Sequence, residues 1–237
     1  MTSRARGSVA IIMPAYNEGV VIASVVKDIK ATLNKHKIKA DIIVVNDGSS
    51  DNTATEAARG GAIVINHIVN LGAGGATATG LSYANDNNYK IAVSMDADGQ
   101  HTSRDVISGI KAIKQQKVDL LIGSRLINPV EMSEVKKLGN RGLSFITYVL
   151  FGVNVADSQS GLRIFSRSAI ENLRWKTSGF EFCSEMIWRA KQLGLIVQEY
   201  PIKVVYSDYS ISKGQSNWNG VNILKSLITR RVVELFE

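Results

Sequence analysis

Two aspartates one residue apart, Asp96 and Asp98, close the segment Lys90–His101, which reads K-I-A-V-S-M-D-A-D-G-Q-H. Ile91, Val93 and Met95 predict a short apolar strand. Residues i and i+2 of a strand share a face, so both carboxylates are expected to reach one point where the strand stops. Two hard oxygen donors at a strand end suit Mg²⁺ or Mn²⁺, ions that keep some of their waters and bind substrate phosphates. Taken alone, the triplet equally fits an acidic turn pivoting on Gly99. Its neighbours along the chain decide between the two.

An apolar run at Val9–Met13, stopped by Pro14, predicts a first strand that leads into Pro14-Ala15-Tyr16-Asn17-Glu18. Val20, Val21, Val25, Val26, Ile29 and Leu33 follow at helical spacing. Ile42–Val45 predicts a strand ending in Asn46-Asp47-Gly48-Ser49-Ser50-Asp51, where Ser50 or Asp51 can cap a helix. Ala62–Ile65 predicts another strand, and Asn70-Leu71-Gly72-Ala73-Gly74-Gly75-Ala76 a glycine-rich turn into a small-residue helix. After the Lys90–Asp96 strand come a helix from Ser103 and a strand at Leu120–Gly123. This alternation predicts a single α/β domain with a mostly parallel sheet flanked by helices. The loops after parallel strands emerge at one sheet edge, so Glu18, Asp47, Asp96, Asp98 and Arg125 are expected to gather there.

Beyond Arg125 the alternation loosens. Leu126–Glu134 is expected as a loop, Val135–Phe151 as an apolar helix, and Asp157-Ser158-Gln159-Ser160-Gly161 as a turn before a strand at Leu162–Phe165. Glu181–Leu193 reads as a helix and Ile196–Val205 as an extended segment broken at Pro201. Gly220–Phe236 is amphipathic, with Val221, Leu224, Leu227, Ile228, Val232 and Leu235 largely on one side. The expected organisation is therefore a domain over 1–219 and a C-terminal helix over 220–237, packed on the domain or lying at a membrane surface.

The chain has 237 residues and a formal charge of +7, which favours acidic partners such as nucleotides, phosphates or anionic lipid. Its basic residues are neither gathered into a long run nor interleaved with aromatics, so no nucleic-acid partner is expected. Cys183 is the single cysteine, which excludes an intrachain disulfide and any cysteine-based zinc site. The most apolar segment, Leu143–Val153, is about half the length that crosses a bilayer. The run Val9–Met13 is too short for the apolar part of a signal sequence, so none is expected, and the expected location is cytoplasmic, peripheral to a membrane.

Gly72-Ala73-Gly74-Gly75 invites a dinucleotide-binding reading, but Thr77 stands where the third small residue belongs and the turn follows the third strand rather than the first. No Gly-Lys-Ser/Thr occurs, so there is no Walker loop.

Together, Pro14–Glu18, Asn46–Asp51, Asn70-Leu71-Gly72, Asp96–His101, Gly123-Ser124-Arg125 and Asp157–Gly161 resemble the family 2 glycosyltransferases of GT-A fold, and within them the dolichyl-phosphate mannose synthase group. The resemblance implies a Rossmann-like GT-A domain that moves a hexose, with inversion, from a GDP- or UDP-linked donor to a polyprenyl phosphate. It implies that Pro14, Tyr16, Glu18, Asp47, Asp96 and Ala97 hold the nucleotide sugar. Asp96, Asp98 and Gln100 would hold Mg²⁺ or Mn²⁺. Arg125, Arg141 and Lys213 would meet phosphates, with Ser160 and Gly161 on the acceptor side. Lys213-Gly214-Gln215-Ser216 matches the family's later basic motif, but Asn217 stands where many members carry lysine. Members often continue into membrane helices, so a membrane protein partner is a further expectation.

Breaking a sugar–diphosphate bond leaves growing negative charge that a divalent cation and nearby Arg or Lys stabilise. A phosphate acceptor is already anionic and needs no strong base, whereas a saccharide hydroxyl does, and Asp157 is then the first choice. A non-catalytic nucleotide-sugar sensor is the reading from another class. His101 reads as a polar neighbour rather than a ligand, and Asp51 as a helix-terminus carboxylate. Glu181 and Glu185, one helical turn apart, are left between sugar contacts and solvent.

Overall fold

Val9–Ala15 forms β1, and its alternate side chains feed two cores: Ala10 and Ile12 on one face of the sheet, Val9, Ile11 and Met13 on the other. A continuous apolar run is what a strand covered on both faces requires. A computed structural model of the chain describes residues 8–127 and 134–203, with Thr229 besides. In chain order come α1 (Ile22–Lys35), β2 (Ala40–Asn46), α2 (Thr53–Gly60), β3 (Ile63–Asn66), α3 (Gly72–Asp86), β4 (Ile91–Ser94) and α4 (Ser103–Gln115). They are followed by β5 (Leu120–Ser124), α5 (Glu134–Phe151), β6 (Arg163–Phe165), α6 (Arg167–Asn172), α7 (Phe182–Gln192) and β7 (Val197–Pro201).

The seven strands form one sheet in the order β3-β2-β1-β4-β6-β5-β7. All neighbours are parallel except β6, which runs against both β4 and β5. That departure has a simple cause. The chain leaves β5 and enters β6 at the same sheet edge, so α5 does not cross the sheet, and β6 has to run back from that edge.

Helices cover the sheet with the stripes their spacing predicts. Ile22, Val26, Ile29 and Leu33 of α1 are buried, as are Val106, Ile107, Ile110 and Ile113 of α4. The small residues of α3 let it lie close on β1, because a side chain at Gly80 would run into Ile12. Thr102 caps α4 by accepting the Asp105 amide at 3.1 Å, and Ser166 caps α6 at Ala169 in the same way.

Two sequence expectations change. β4 ends at Ser94, so Asp96 and Asp98 lie in the turn beyond the strand, and the alternation of a strand is not what brings them together. Gly99 supplies the reversal at φ +79°. The glycines of the β3–α3 turn serve packing: a Cβ at Gly72 would meet the Ser178 carbonyl at 2.5 Å and one at Gly74 the Thr177 carbonyl at 2.6 Å. Apart from Thr229, the C-terminal helix expected at 220–237 lies outside the described residues, as does Lys213. No helix of the described residues is long and apolar enough to cross a membrane.

Candidate active site

β1, β2, β4 and β5 end at the same edge of the sheet, and the loops that follow them carry Glu18, Asp47, Asp96, Asp98 and Arg125. The loop after β1 is tied to the loop after β2. The Asn17 amide donates to Ser49 Oγ at 2.9 Å, the Glu18 amide to Thr53 Oγ1 at 2.8 Å, and the Gly19 amide to Asp51 Oδ2 at 3.0 Å. Asp51 also accepts the Thr53 amide at the start of α2, so its carboxylate serves the helix terminus and the neighbouring loop together. Pro14 does not stop β1 but pairs within it opposite Val45, the strand ending at Ala15 opposite Asn46, and Tyr16 stands half-exposed after it.

Asp47 is buried, and its oxygens accept from His67 Nδ1 at 2.7 Å, the Leu71 amide at 2.9 Å and the Gly72 amide at 2.8 Å. It therefore holds the glycine turn in place. The Gly74 amide is taken by the Ser178 carbonyl at 2.7 Å. Two of the N–H groups at the start of α3 are thus engaged by the protein, which is not how a dinucleotide-binding glycine loop is arranged.

The acidic pair sits beside Gly161, whose α-carbon is so close to Asp96 that any side chain there would collide with the carboxylate. His101 Nε2 lies 3.2 Å from Asp96 Oδ2, and the ring is buried. Partial burial pushes Asp96 upward, but the His101 hydrogen bond and the charges of His101, Arg125 and Arg163 outweigh it, leaving the carboxyl below its ordinary value. Asp98 is pushed up to about 6 by burial and by the charge of Asp96, with Glu18 adding to the repulsion. Gln100 turns the chain through its amide, which donates to Asp98 Oδ1 at 2.9 Å. Ala97 between the two acids is buried in the same core cluster as Met95.

Arg125 is gripped by Asp157. Its Nε and Nη2 donate to Asp157 Oδ2 and Oδ1 at 2.7 Å each, and its backbone amide adds a third bond at 3.0 Å. Asp157 is fully buried. Its own amide and that of Ala156 donate to Glu199 at 2.9 and 2.7 Å, fixing the turn that bears it. The other end of the turn is held by Arg163, a fully buried guanidinium that donates to the carbonyls of Ser158, Ser160 and Cys183 at 2.7, 3.0 and 2.9 Å. Ser160 is buried as well, and its Oγ has no hydrogen-bond partner among the described residues. Arg141 stands apart on the exposed side of α5, lining a cavity of about 500 Å³ beside Leu126 and Ala156.

Sequence reasoning passed over Arg163, Glu199 and His67. The one available signal was a charged residue inside the apolar run Leu162–Phe165. Glu185 meets neither of the two readings left open for it. It is buried and accepts the Lys176 and Thr177 amides at 3.0 and 2.8 Å, shaping the segment against which Gly72 and Gly74 pack.

Among the described residues no cluster of three or more His, Cys, Asp or Glu side chains forms a ready-made metal cage. The set on offer is two neighbouring carboxylates, that of Asp98 pushed upward by burial and by the charge of Asp96, with Gln100 following them in the same turn. Such a set fits Mg²⁺ or Mn²⁺, which take few protein ligands and complete their shells with water and phosphate oxygens.

Comparison with known proteins shows the family and the fold. The family described as "Glycosyl transferase family 2" matches residues 10–174. An uncharacterised Methanocaldococcus jannaschii protein is 40% identical, over 96% of this chain and 93% of its own length. The UDP-N-acetylglucosamine–dolichyl-phosphate N-acetylglucosaminyltransferase of Methanococcus voltae is 38% identical, over 96% of this chain and 97% of its own. Among solved structures, the Mycobacterium tuberculosis glucosyl-3-phosphoglycerate synthase in complex with Mn²⁺, UDP and glucosyl-3-phosphoglycerate superposes with a TM-score of 0.72 at 19% identity, covering 94% of this chain and 77% of that one.

Proposed function

We propose that this chain, which belongs to glycosyl transferase family 2, moves a sugar from a nucleotide sugar to a polyprenyl phosphate, with inversion at the anomeric carbon and with Mg²⁺ or Mn²⁺ bound. Support comes first from one juxtaposition: the Asp96–Asp98 pair lies close enough to Arg125 for the guanidinium to lower Asp96, and Arg125 is itself fixed by Asp157. The name of the Methanococcus voltae relative, 38% identical over nearly the whole chain, supports a polyprenyl phosphate acceptor and makes a UDP-linked N-acetylhexosamine the first donor to try.

Asp96 and Asp98, with Gln100, would hold the cation, which supplies charge to the diphosphate as it leaves. Arg125 adds a planar fork of donors to the same group, already aimed because both oxygens of Asp157 hold it. Glu18 and Tyr16 flank the nucleotide side of the edge, and Asp47 keeps the adjoining glycine turn in register. On the acceptor side Arg141 and Lys213 meet a phosphate that attacks as an anion, so no strong base is needed. In this reading the enzyme works peripherally at the cytoplasmic face of a membrane.

The rival reading, transfer to a saccharide hydroxyl, needs Asp157 as the base. Asp157 is fully buried and its oxygens accept three bonds from Arg125, the arrangement of a positioning carboxylate rather than of a proton acceptor open to substrate. The test is a panel of UDP- and GDP-linked sugars with Mn²⁺ or Mg²⁺ and a short polyprenyl phosphate, with NMR of the product's anomeric centre. Lipid-linked product of inverted configuration is expected. Transfer to saccharides alone, or no turnover with any donor, would overturn the proposal.

A further inference from the structure

His67 is the first residue after β3, and it turns inward where its neighbour turns out: its side chain is 10% exposed, whereas Ile68 is wholly in solvent. Both ring nitrogens are engaged. Nδ1 lies 2.7 Å from Asp47 Oδ1, just past the end of β2, and Nε2 lies 3.0 Å from Thr79 Oγ1, well inside α3. A carboxylate only accepts, so Nδ1 is the donor to Asp47; a hydroxyl can give or accept, so Thr79 answers Nε2 in either ring form. The imidazole is therefore a strut between the sheet edge and α3, satisfied at both ends.

The far end of the strut is rigid. Thr79 precedes Gly80, where a Cβ would collide with Ile12 of β1, so this turn of α3 is seated directly on the sheet. The near end is Asp47. Its backbone amide donates to the Ala15 carbonyl at 2.8 Å, directly before Tyr16, and its buried carboxylate takes the Leu71 amide on Oδ1 and the Gly72 amide on Oδ2. Asp47 thus stands between the loop that carries Tyr16 and Glu18 and the glycine turn. With two donors on Oδ1 and one on Oδ2, the carboxylate keeps a further acceptor position on Oδ2.

We propose that His67 is a positioning residue of the donor site, setting the orientation of the Asp47 carboxylate toward a nucleoside diphosphate; what Asp47 meets rests on the nucleotide-sugar reading. Rotamer preference does not fix a carboxylate, because the last torsion of an aspartate is broad, so its bonds must do so. The Leu71 and Gly72 amides belong to the turn that Asp47 itself holds. The imidazole is the partner anchored elsewhere, through Thr79 to a helix locked on β1. A histidine that served only the β3–α3 connection would alter stability alone, whereas a positioning histidine alters affinity for the donor at nearly unchanged turnover.

The test titrates UDP and GDP, each with Mn²⁺, into the full chain and into His67→Leu, His67→Asn and Thr79→Val, and compares donor KM with kcat using a short polyprenyl phosphate. The first variant removes both ring nitrogens. The second returns an N–H near the place of Nδ1 but is too short to reach Thr79, and the third keeps the shape of the threonine without its hydroxyl. His67→Leu is expected to weaken the nucleoside diphosphate and raise donor KM about tenfold, the scale of one hydrogen bond to a charged group, with kcat and acceptor KM near wild type. His67→Asn is expected to recover most of this loss, and Thr79→Val to lose about threefold. Unchanged nucleotide affinity in His67→Leu overturns the proposal, as does a His67→Asn variant no better than His67→Leu. If His67→Leu does not fold, unchanged affinity in Thr79→Val overturns it instead. Failure of wild type to bind either nucleotide is seen before any variant is made, and it would overturn the nucleotide-sugar reading and this role with it.

Discussion

Asp157 and Arg125 are joined by three hydrogen bonds, two from the guanidinium at 2.7 Å and one from the backbone amide at 3.0 Å, and the aspartate is wholly buried beneath the arginine. The carboxylate has no route to solvent, and the side chain it fixes lies at the sheet edge where the acidic pair gathers.

Asp157→Asn keeps the shape but removes the charge and turns one acceptor into a donor facing a guanidinium. Breaking a buried ion pair from one side costs about 3–5 kcal/mol, so the variant is expected to melt clearly lower than wild type. Arg125→Ala is expected to lower kcat by about 10²–10³, the scale of removing one charge-stabilising donor group. Arg125→Lys should recover little, because an ammonium cannot reproduce the two-point fork on Asp157. Calorimetry and initial rates on the three variants check this; full activity in Arg125→Ala would remove the arginine from the mechanism.

Gly161→Ala adds one methyl group against the carboxylate of Asp96. Because Asp96 is half-exposed, the clash is relieved by moving the carboxylate and leaves the core intact. Metal affinity is expected to fall more than stability does. Titration with Mn²⁺, followed by calorimetry, reads the first, and thermal denaturation without metal reads the second. A variant that binds Mn²⁺ as well as wild type would show that Asp96 has room to spare.

Asp98 titrates near 6, above its unfolded value, because burial and the charge of Asp96 oppose its ionisation. The folded chain therefore binds more protons than the unfolded one between about pH 4 and pH 6, and this group's contribution to stability declines as pH rises through that window. A divalent cation reverses the sign by favouring the ionised form. The rise in melting temperature on adding Mn²⁺ is thus expected to be large at pH 7.5 and to shrink as pH falls through about 6. In Asp98→Asn the shift should be small at every pH; an undiminished shift would place the ion elsewhere.

Arg163→Met replaces a buried guanidinium by an apolar side chain of similar reach and leaves the carbonyls of Ser158, Ser160 and Cys183 without their donor. Each buried group left unpaired costs about 1–3 kcal/mol, so a loss of several kcal/mol is expected in urea unfolding. Hydrogen exchange in the 157–161 turn should speed up before that of β1. Uniform exchange across the sheet would mean that Arg163 serves global packing only.

Sequence alone determined the order of elements and the edge at which the chemistry gathers. Unbroken apolar runs such as Val9–Met13 and Ile42–Val45 fix doubly covered strands, and the stripes of α1 and α4 follow from a 3.6-residue period. Local motifs therefore marked the loops bearing Glu18, Asp47, Asp96, Asp98 and Arg125. Tertiary structure decided which of these groups are buried in support of others and which stay at the open edge. That Asp157 grips Arg125, that Gly161 yields space to Asp96, and that Glu199 holds Asp157 are contacts between residues 32 to 65 positions apart. Helical and strand periods report only on near neighbours in the chain. They cannot say which carboxylate will be sealed beneath a guanidinium and which will be left half-exposed at the sheet edge, because that depends on how distant segments share the same few ångströms.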